Sequence, residues 1–211
     1  MGSHRRWGAL SAGGGACPPR RPRSDRPRRP PGDRPRAPPA IIAGNVSNWF
    51  RTYGFAPVSD DLLIGAYPLD SDDVEMLAFN GVRRVLNLVQ DGEYRRGERG
   101  EVQRALAANQ IEERRLRLVD YGGLDPDAIE RAVEEVNGWL DDGERTYVHC
   151  RAGWQRSAAI AAGVVALREG IEIDEALARV QSRKPSADPL PHQREDLRRW
   201  WSERATRPPA T

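Results

Sequence analysis

The chain has 211 residues and a formal net charge of +2, a length that suggests one domain plus an additional segment. The charge is divided: residues 1–40 hold ten Arg against two Asp, a net +8, so the other 171 residues carry −6. No run approaches the ~18–20 apolar residues of a membrane span, and two cysteines, Cys17 and Cys150, exclude a disulfide framework and fit a reducing, cytoplasmic setting.

Residues 1–40 are rich in Pro, Arg and Gly. Such a stretch buries too little apolar surface to offset its ordering entropy, so a disordered tail is expected there. It reads either as a featureless extension, including sequence upstream of a true start, or as a basic arm for nucleic acid or anionic lipid. No aromatic residue follows Trp7 in it, so no nucleic-acid partner is expected. The stretch from Leu10 to Ala16 is too Gly-rich for the apolar region of a signal peptide.

Residues 41–60 read as an irregular lead-in whose Trp49, Phe50, Tyr53 and Phe55 pack against the body. Leu62 to Ile64 form a short strand. Ser71 caps a helix carrying Val74, Met76, Leu77 and Phe79, which Gly81 ends. Val82 to Val89 is a strand, Gln90 to Gly100 a polar loop, Glu101 to Asn109 a helix and Glu113 to Val119 a strand. Asp125-Pro126 opens the next helix, whose Ile129, Val133, Val136 and Leu140 make an apolar stripe. Thr146 to His149 is a β-branched strand, and Ser157 to Glu169 an Ala/Val-rich buried helix stopped by Gly170. Asp174 caps a helix through Val180, and a last helix runs from Gln193 to Ser202. Strands alternating with helices predict an α/β fold, a central mostly parallel sheet of about four or five strands flanked by helices. The folded domain is expected over 41–205, with 206–211 a disordered end.

One segment carries chemistry. Residues 149–157 read H-C-R-A-G-W-Q-R-S between a strand and a helix. The first N–H groups of a helix have no intrahelical acceptor, and the helix dipole adds positive charge there. The loop Arg151, Ala152, Gly153, Trp154, Gln155 and Arg156 can wrap its N–H groups around one tetrahedral phosphate. Gly153 supplies the freedom such a wrap requires, and the Arg156 fork suits two phosphate oxygens. That field favours the anionic, nucleophilic form of the Cys150 sulfur. Ser157 can donate to this sulfur, and His149 orients the loop without carrying protons.

H-C-x-x-G-x-x-R-S resembles the phosphate-binding signature of the cysteine-based protein tyrosine and dual-specificity phosphatases. The resemblance implies Cys150 as nucleophile, Arg156 as phosphate binder, Ser157 as the sulfur's hydrogen-bond partner and a three-layer sandwich as the fold. It also implies a mobile-loop acid. Asp120, 30 residues before Cys150 in Leu118-Val119-Asp120-Tyr121-Gly122-Gly123, occupies the matching place, and its two glycines allow movement. Asp125 and Asp127 are the other carboxyls nearby, with Asp125 better suited to a helix cap. Leu63 to Pro68 and Gly81 to Leu88 resemble the opening of the small dual-specificity enzymes, so the likeness covers about residues 60–202. No cofactor is implied. The histidines His4, His149 and His192 lack ligand spacing, so no metal is expected.

The expected partner is a phosphorylated protein or a phospholipid. The short chain has no recognisable aromatic phosphotyrosine loop of the larger tyrosine phosphatases, which favours the small dual-specificity type. The loop lacks the paired Lys of phosphoinositide phosphatases, and there is no carbohydrate-binding module to suggest a glycan phosphatase. Gln90 to Arg96, with Gly92 in place of an acidic residue, partly resembles the acidic-Tyr loop of phosphatidylglycerophosphate phosphatases. That leaves a lipid enzyme as the alternative, a solvated surface loop being the plainer reading. A pseudophosphatase that binds phosphate without turnover is the alternative of another class.

Overall fold

The computed structural model describes residues 46–206. The expected tail at 1–40, with Cys17 and His4, lies outside the described residues, as do residues 207–211.

Five strands form one sheet in the order β1-β2-β5-β3-β4. These are β1 (Phe55–Pro57), β2 (Leu62–Ala66), β3 (Arg84–Asn87), β4 (Glu112–Arg115) and β5 (Thr146–Cys150). Only β1 runs antiparallel, beside β2; β2, β5, β3 and β4 are parallel. Seven helices accompany them among the described residues: α1 (Asn48–Tyr53), α2 (Ser71–Phe79), α3 (Glu98–Ala108), α4 (Pro126–Asp141), α5 (Arg156–Glu169), α6 (Ile173–Arg183) and α7 (Pro191–Thr206).

The period-two alternation of a strand sorts the sheet's side chains into two cores. Leu62, Ile64, Leu86, Val148 and Cys150 join the stripe of α4, the Ala/Val face of α5, and Leu177, Leu197 and Trp200 of α6 and α7. Leu63, Val85 and Tyr147 face the other way, onto Phe50 of α1, Val74 and Leu77 of α2, and Val102 and Leu106 of α3. The result is the three-layer α/β sandwich. Helix α5 lies close to α4 because Gly163 has no side chain: a Cβ there would stand 2.8 Å from Val133 Cγ2.

The differences from the sequence reading concern local detail. The lead-in segment is regular, forming α1 and edge strand β1. Asp70, not Ser71, caps α2, accepting the Asp73 N–H at 3.0 Å. Phe79 is exposed rather than core. Helix α3 begins at Glu98 instead of Glu101, and Asp91–Glu93 makes a 3₁₀ turn within the expected loop. Strand β4 ends at Arg115, although Leu118 beyond it is buried. Helix α6 starts at Ile173, so Asp174 lies in its first turn and pairs with Arg198 instead of capping. Helix α7 extends from Pro191 to Thr206, beyond the expected 193–202. The buried Asp73 carboxylate accepts from Ser47 N and Oγ at 2.8 and 2.7 Å, fastening the lead-in to α2.

Candidate active site

Cys150 ends the central strand β5, paired with Ala66 of β2, at the carboxyl edge of the parallel strands. Open α/β sheets bind ligands at that edge. The chain then turns through residues 151–155 into α5, whose first residue is Arg156. The turn is possible because two glycines meet. Gly153 has φ +74°, and a Cβ on it would lie 2.6 Å from Gly65 Cα. Gly65 is hemmed in likewise, by Gly54 O and Phe55 Cβ. The phosphate-loop candidate is thus pressed onto the end of β2, and the Tyr67 N–H donates to Arg151 O at 3.2 Å.

Cys150 is a free thiol, and its Sγ stands 3.3 Å from Ser157 Oγ. Both side chains are buried at the start of α5. Arg156 is fully buried, a costly place for a charge unless it is paired. Its partners are carboxylates and carbonyls. Nη1 and Nη2 donate to Glu93 Oε1 and Oε2, each at 2.7 Å; Nη1 also donates to Leu118 O at 2.9 Å. Nη2 lies 2.8 Å from Asp120 Oδ1. The Arg156 Nε–H is buried without a protein acceptor. Burial disfavours the charge of Arg156, but Glu93, Cys150 and Asp120 outweigh it and hold the guanidinium more firmly protonated than usual. Burial also works against ionising Glu93, yet the Arg156 hydrogen bonds, the Gln90 N–H and the charges of Arg156 and Arg151 hold its carboxyl below the ordinary range.

A cleft of about 170 Å³ opens over Cys150, lined by Arg156, Asp120, Ala152 and Gln155 and by the aromatic rings of Trp49, Tyr53, Tyr121 and Trp154. Asp120 therefore joins Cys150 and Arg156 in one cavity, whereas Asp125 caps α4 by accepting the Ala128 N–H at 3.0 Å. Trp154 is exposed at the cleft, its ring centroid 5.3 Å from that of Tyr53. Arg151 points sideways: its Nη1 donates to Tyr67 Oη at 2.7 Å and Glu93 O at 2.6 Å, and its guanidinium lies 4.8 Å from the Trp49 and Tyr67 rings. His149 is buried and stacked on Tyr147. Desolvation pushes its pKa from 6.5 down to about 4, so the ring is neutral at neutral pH.

Three features escaped the sequence reading. Glu93 anchors Arg156, although its loop resembled a solvated surface loop. Gln90 of the same loop offers its Oε1 to the Asp120 N–H at 3.4 Å. Trp49 and Tyr53 of α1 bring an aromatic wall to the cleft. The only signal for Glu93 was the partial likeness to the acidic-Tyr loop. Tyr94 is held in place too, its Oη accepting from Asn87 Nδ2 at 2.7 Å with Arg99 and Arg115 over its ring.

The fold is one shared with solved tyrosine and dual-specificity phosphatase structures. The solved structures it matches include the active form of Tk-PTP (18% identity, 70% of this chain and 96% of that one, TM-score 0.62). They also include PTPMT1 in complex with PI(5)P (23% identity, 72% and 97%, TM-score 0.63). A third is the kinase-associated phosphatase KAP with its catalytic-site cysteine substituted by serine (18% identity, 70% and 89%, TM-score 0.63). No protein-family model matches the sequence, and no curated protein matches it. Among the described residues, no helix is long and apolar enough to cross a membrane.

Proposed function

We propose that this chain is a phosphomonoester hydrolase working through a phosphocysteine at Cys150, a protein tyrosine/dual-specificity phosphatase. The observation that carries the reading is the Cys150 sulfur, 3.3 Å from Ser157 Oγ, in a cleft where the buried Arg156 keeps one N–H without a protein acceptor. A phosphate oxygen supplies that acceptor, and its dianion displaces Asp120 from Nη2. The sulfur attacks phosphorus, forming S–P as the P–O bond to the leaving group breaks, and Asp120 gives its proton to the leaving oxygen. Loop N–H groups and Arg156 stabilise charge on the equatorial oxygens. Water then attacks phosphorus, Asp120 takes its proton, and the sulfur departs as an anion steadied by the Ser157 hydroxyl.

The rings of Trp49, Tyr53 and Trp154 favour an aryl phosphate, hence phosphotyrosine, through aromatic contact. A phospholipid substrate is the second reading. It draws on exposed Val119, Tyr121 and Trp154 at or beside the cleft and on the likeness to PTPMT1, crystallised with PI(5)P. A nucleophilic thiol needs a reducing compartment, so we place the enzyme in the cytoplasm, with residues 41–205 as the catalytic unit. The deciding experiment is a turnover panel against Cys150→Ser, using phosphotyrosine, phosphothreonine and phosphoserine peptides, phosphatidylglycerophosphate and phosphoinositides. Fastest turnover of phosphotyrosine supports the main reading, and fastest turnover of a lipid transfers it to the second. Binding of phosphopeptide without turnover of any substrate indicates a pseudophosphatase.

A further inference from the structure

The acid-loop candidate between Leu118 and Leu124 is held from its far side by helix α7. Gly122 O accepts two hydrogen bonds, from Gln193 Nε2 at 2.9 Å and His192 Nε2 at 3.1 Å. One turn further on, Asp196 Oδ2 accepts the Leu124 N–H at 2.8 Å. Gln193 is fully buried, and its Oε1 accepts the Leu190 N–H at 3.2 Å. Both ends of this amide are therefore committed, one to its own helix start and one to the loop.

The loop backbone is shaped for that grip. Gly122 N–H donates to Val119 O at 3.1 Å, closing a tight turn in which Tyr121 adopts φ +55°. A Cβ on Gly122 would stand 2.7 Å from Val119 Cβ, and one on Gly123 would stand 3.1 Å from Asp196 Oδ2. The two glycines thus serve close packing of the turn against itself and against α7. Asp120, two residues before the gripped carbonyl, has its N–H on Gln90 and its carboxylate on Arg156 Nη2. Helix α7 is itself fixed by Leu197 and Trp200, buried in the core.

We propose that Gln193 is a positioning residue for the general acid, setting the turn that aims Asp120 at the leaving oxygen. It touches neither substrate nor sulfur and acts through the Gly122 carbonyl, with His192 and Asp196 as auxiliary holds. The inference rests on the reading of Asp120 as acid. Gln193→Met keeps the volume of the side chain and removes the amide donor.

The test measures kcat/KM on aryl phosphates of graded leaving-group acidity, from difluoromethylumbelliferyl phosphate to phenyl phosphate. This constant reports the steps through leaving-group departure, and a poor leaving group depends on the acid while a good one does not. Asp120→Asn is the reference and should lose far more on phenyl phosphate than on the activated ester. Gln193→Met should show the same tilt, with a loss at least about tenfold larger on phenyl phosphate. A uniform loss across the series, or none, with Asp120→Asn still tilted, overturns the inference. A flat Asp120→Asn series removes the acid assignment itself, and the inference with it. If Gln193→Met does not fold, the exposed His192→Ala and the Asp196→Ala variants are read the same way: a tilt supports the clamp, and no tilt in either refutes it.

Discussion

Glu93 and Arg156, 63 residues apart, meet in a two-point ion pair with both N···O distances at 2.7 Å. Glu93 sits on the turn after β3, and Arg156 begins the helix after β5. Because β3 and β5 are adjacent parallel strands, both turns emerge at one edge of the sheet. The pair fixes the guanidinium plane while leaving Nε free of protein acceptors. Such two-point anchoring suits the phosphate-binding role proposed for Arg156.

Glu93→Ala removes that anchor while Asp120 remains. The guanidinium then follows Asp120, and kcat/KM on p-nitrophenyl phosphate should fall about a hundredfold, the order of loss from misplacing a group by an ångström. Inorganic phosphate should inhibit more weakly. Steady-state kinetics with phosphate as competitor checks both, and unchanged inhibition would dissociate Glu93 from the phosphate site.

Gly153→Ala places a Cβ 2.6 Å from Gly65 Cα in a backbone with φ +74°. Strain and overlap together should cost about 2–4 kcal/mol, read as a lower urea midpoint, and activity should fall more than stability does. A neutral effect would mean that the loop does not press on β2.

His149 makes stability acid-sensitive. Its pKa is about 4 in the fold against an ordinary 6.5, so burial keeps it neutral. The stabilisation is complete above 6.5 and is lost as pH falls from 6.5 through about 4, reaching roughly 3 kcal/mol for this one group. Wild type should therefore lose stability more steeply than His149→Asn across that interval in urea titrations. Parallel curves would contradict the assignment.

Trp154→Ala removes one ring from the aromatic wall. Relative to phosphoserine peptide, kcat/KM on phosphotyrosine peptide should drop roughly three- to tenfold, the worth of one aromatic contact. An unchanged ratio would leave the aryl preference without its proposed source.

Much of this site was legible because it is contiguous. Cys150, the loop and Ser157 lie within eight residues at a strand–helix junction, and local rules for helix starts suffice to read them. Asp120 was singled out only through the resemblance of its loop to a family pattern, since β4 stops at Arg115, five residues short of it. Glu93, Gln193 and the α1 aromatics were not legible, because their roles arise only when separate turns and helices converge on one sheet edge. The edge strand β1 escaped for a similar reason. It is three residues long, contains Pro57, and pairs only through β2, so its identity comes from its neighbour rather than from its own pattern. The Ser71 and Asp174 caps were misplaced by one or two residues, where several adjacent acids and a hydroxyl compete for the same N–H groups.

The most direct test of the central claim is rapid acid quench of the enzyme during turnover of an aryl phosphate, followed by mass spectrometry of the peptide containing Cys150. Wild type should carry a phosphate adduct on the Cys150 sulfur, longer-lived in Asp120→Asn, and a folded Cys150→Ser should show neither adduct nor turnover. Turnover persisting in Cys150→Ser, or an adduct on any other residue, would contradict that claim.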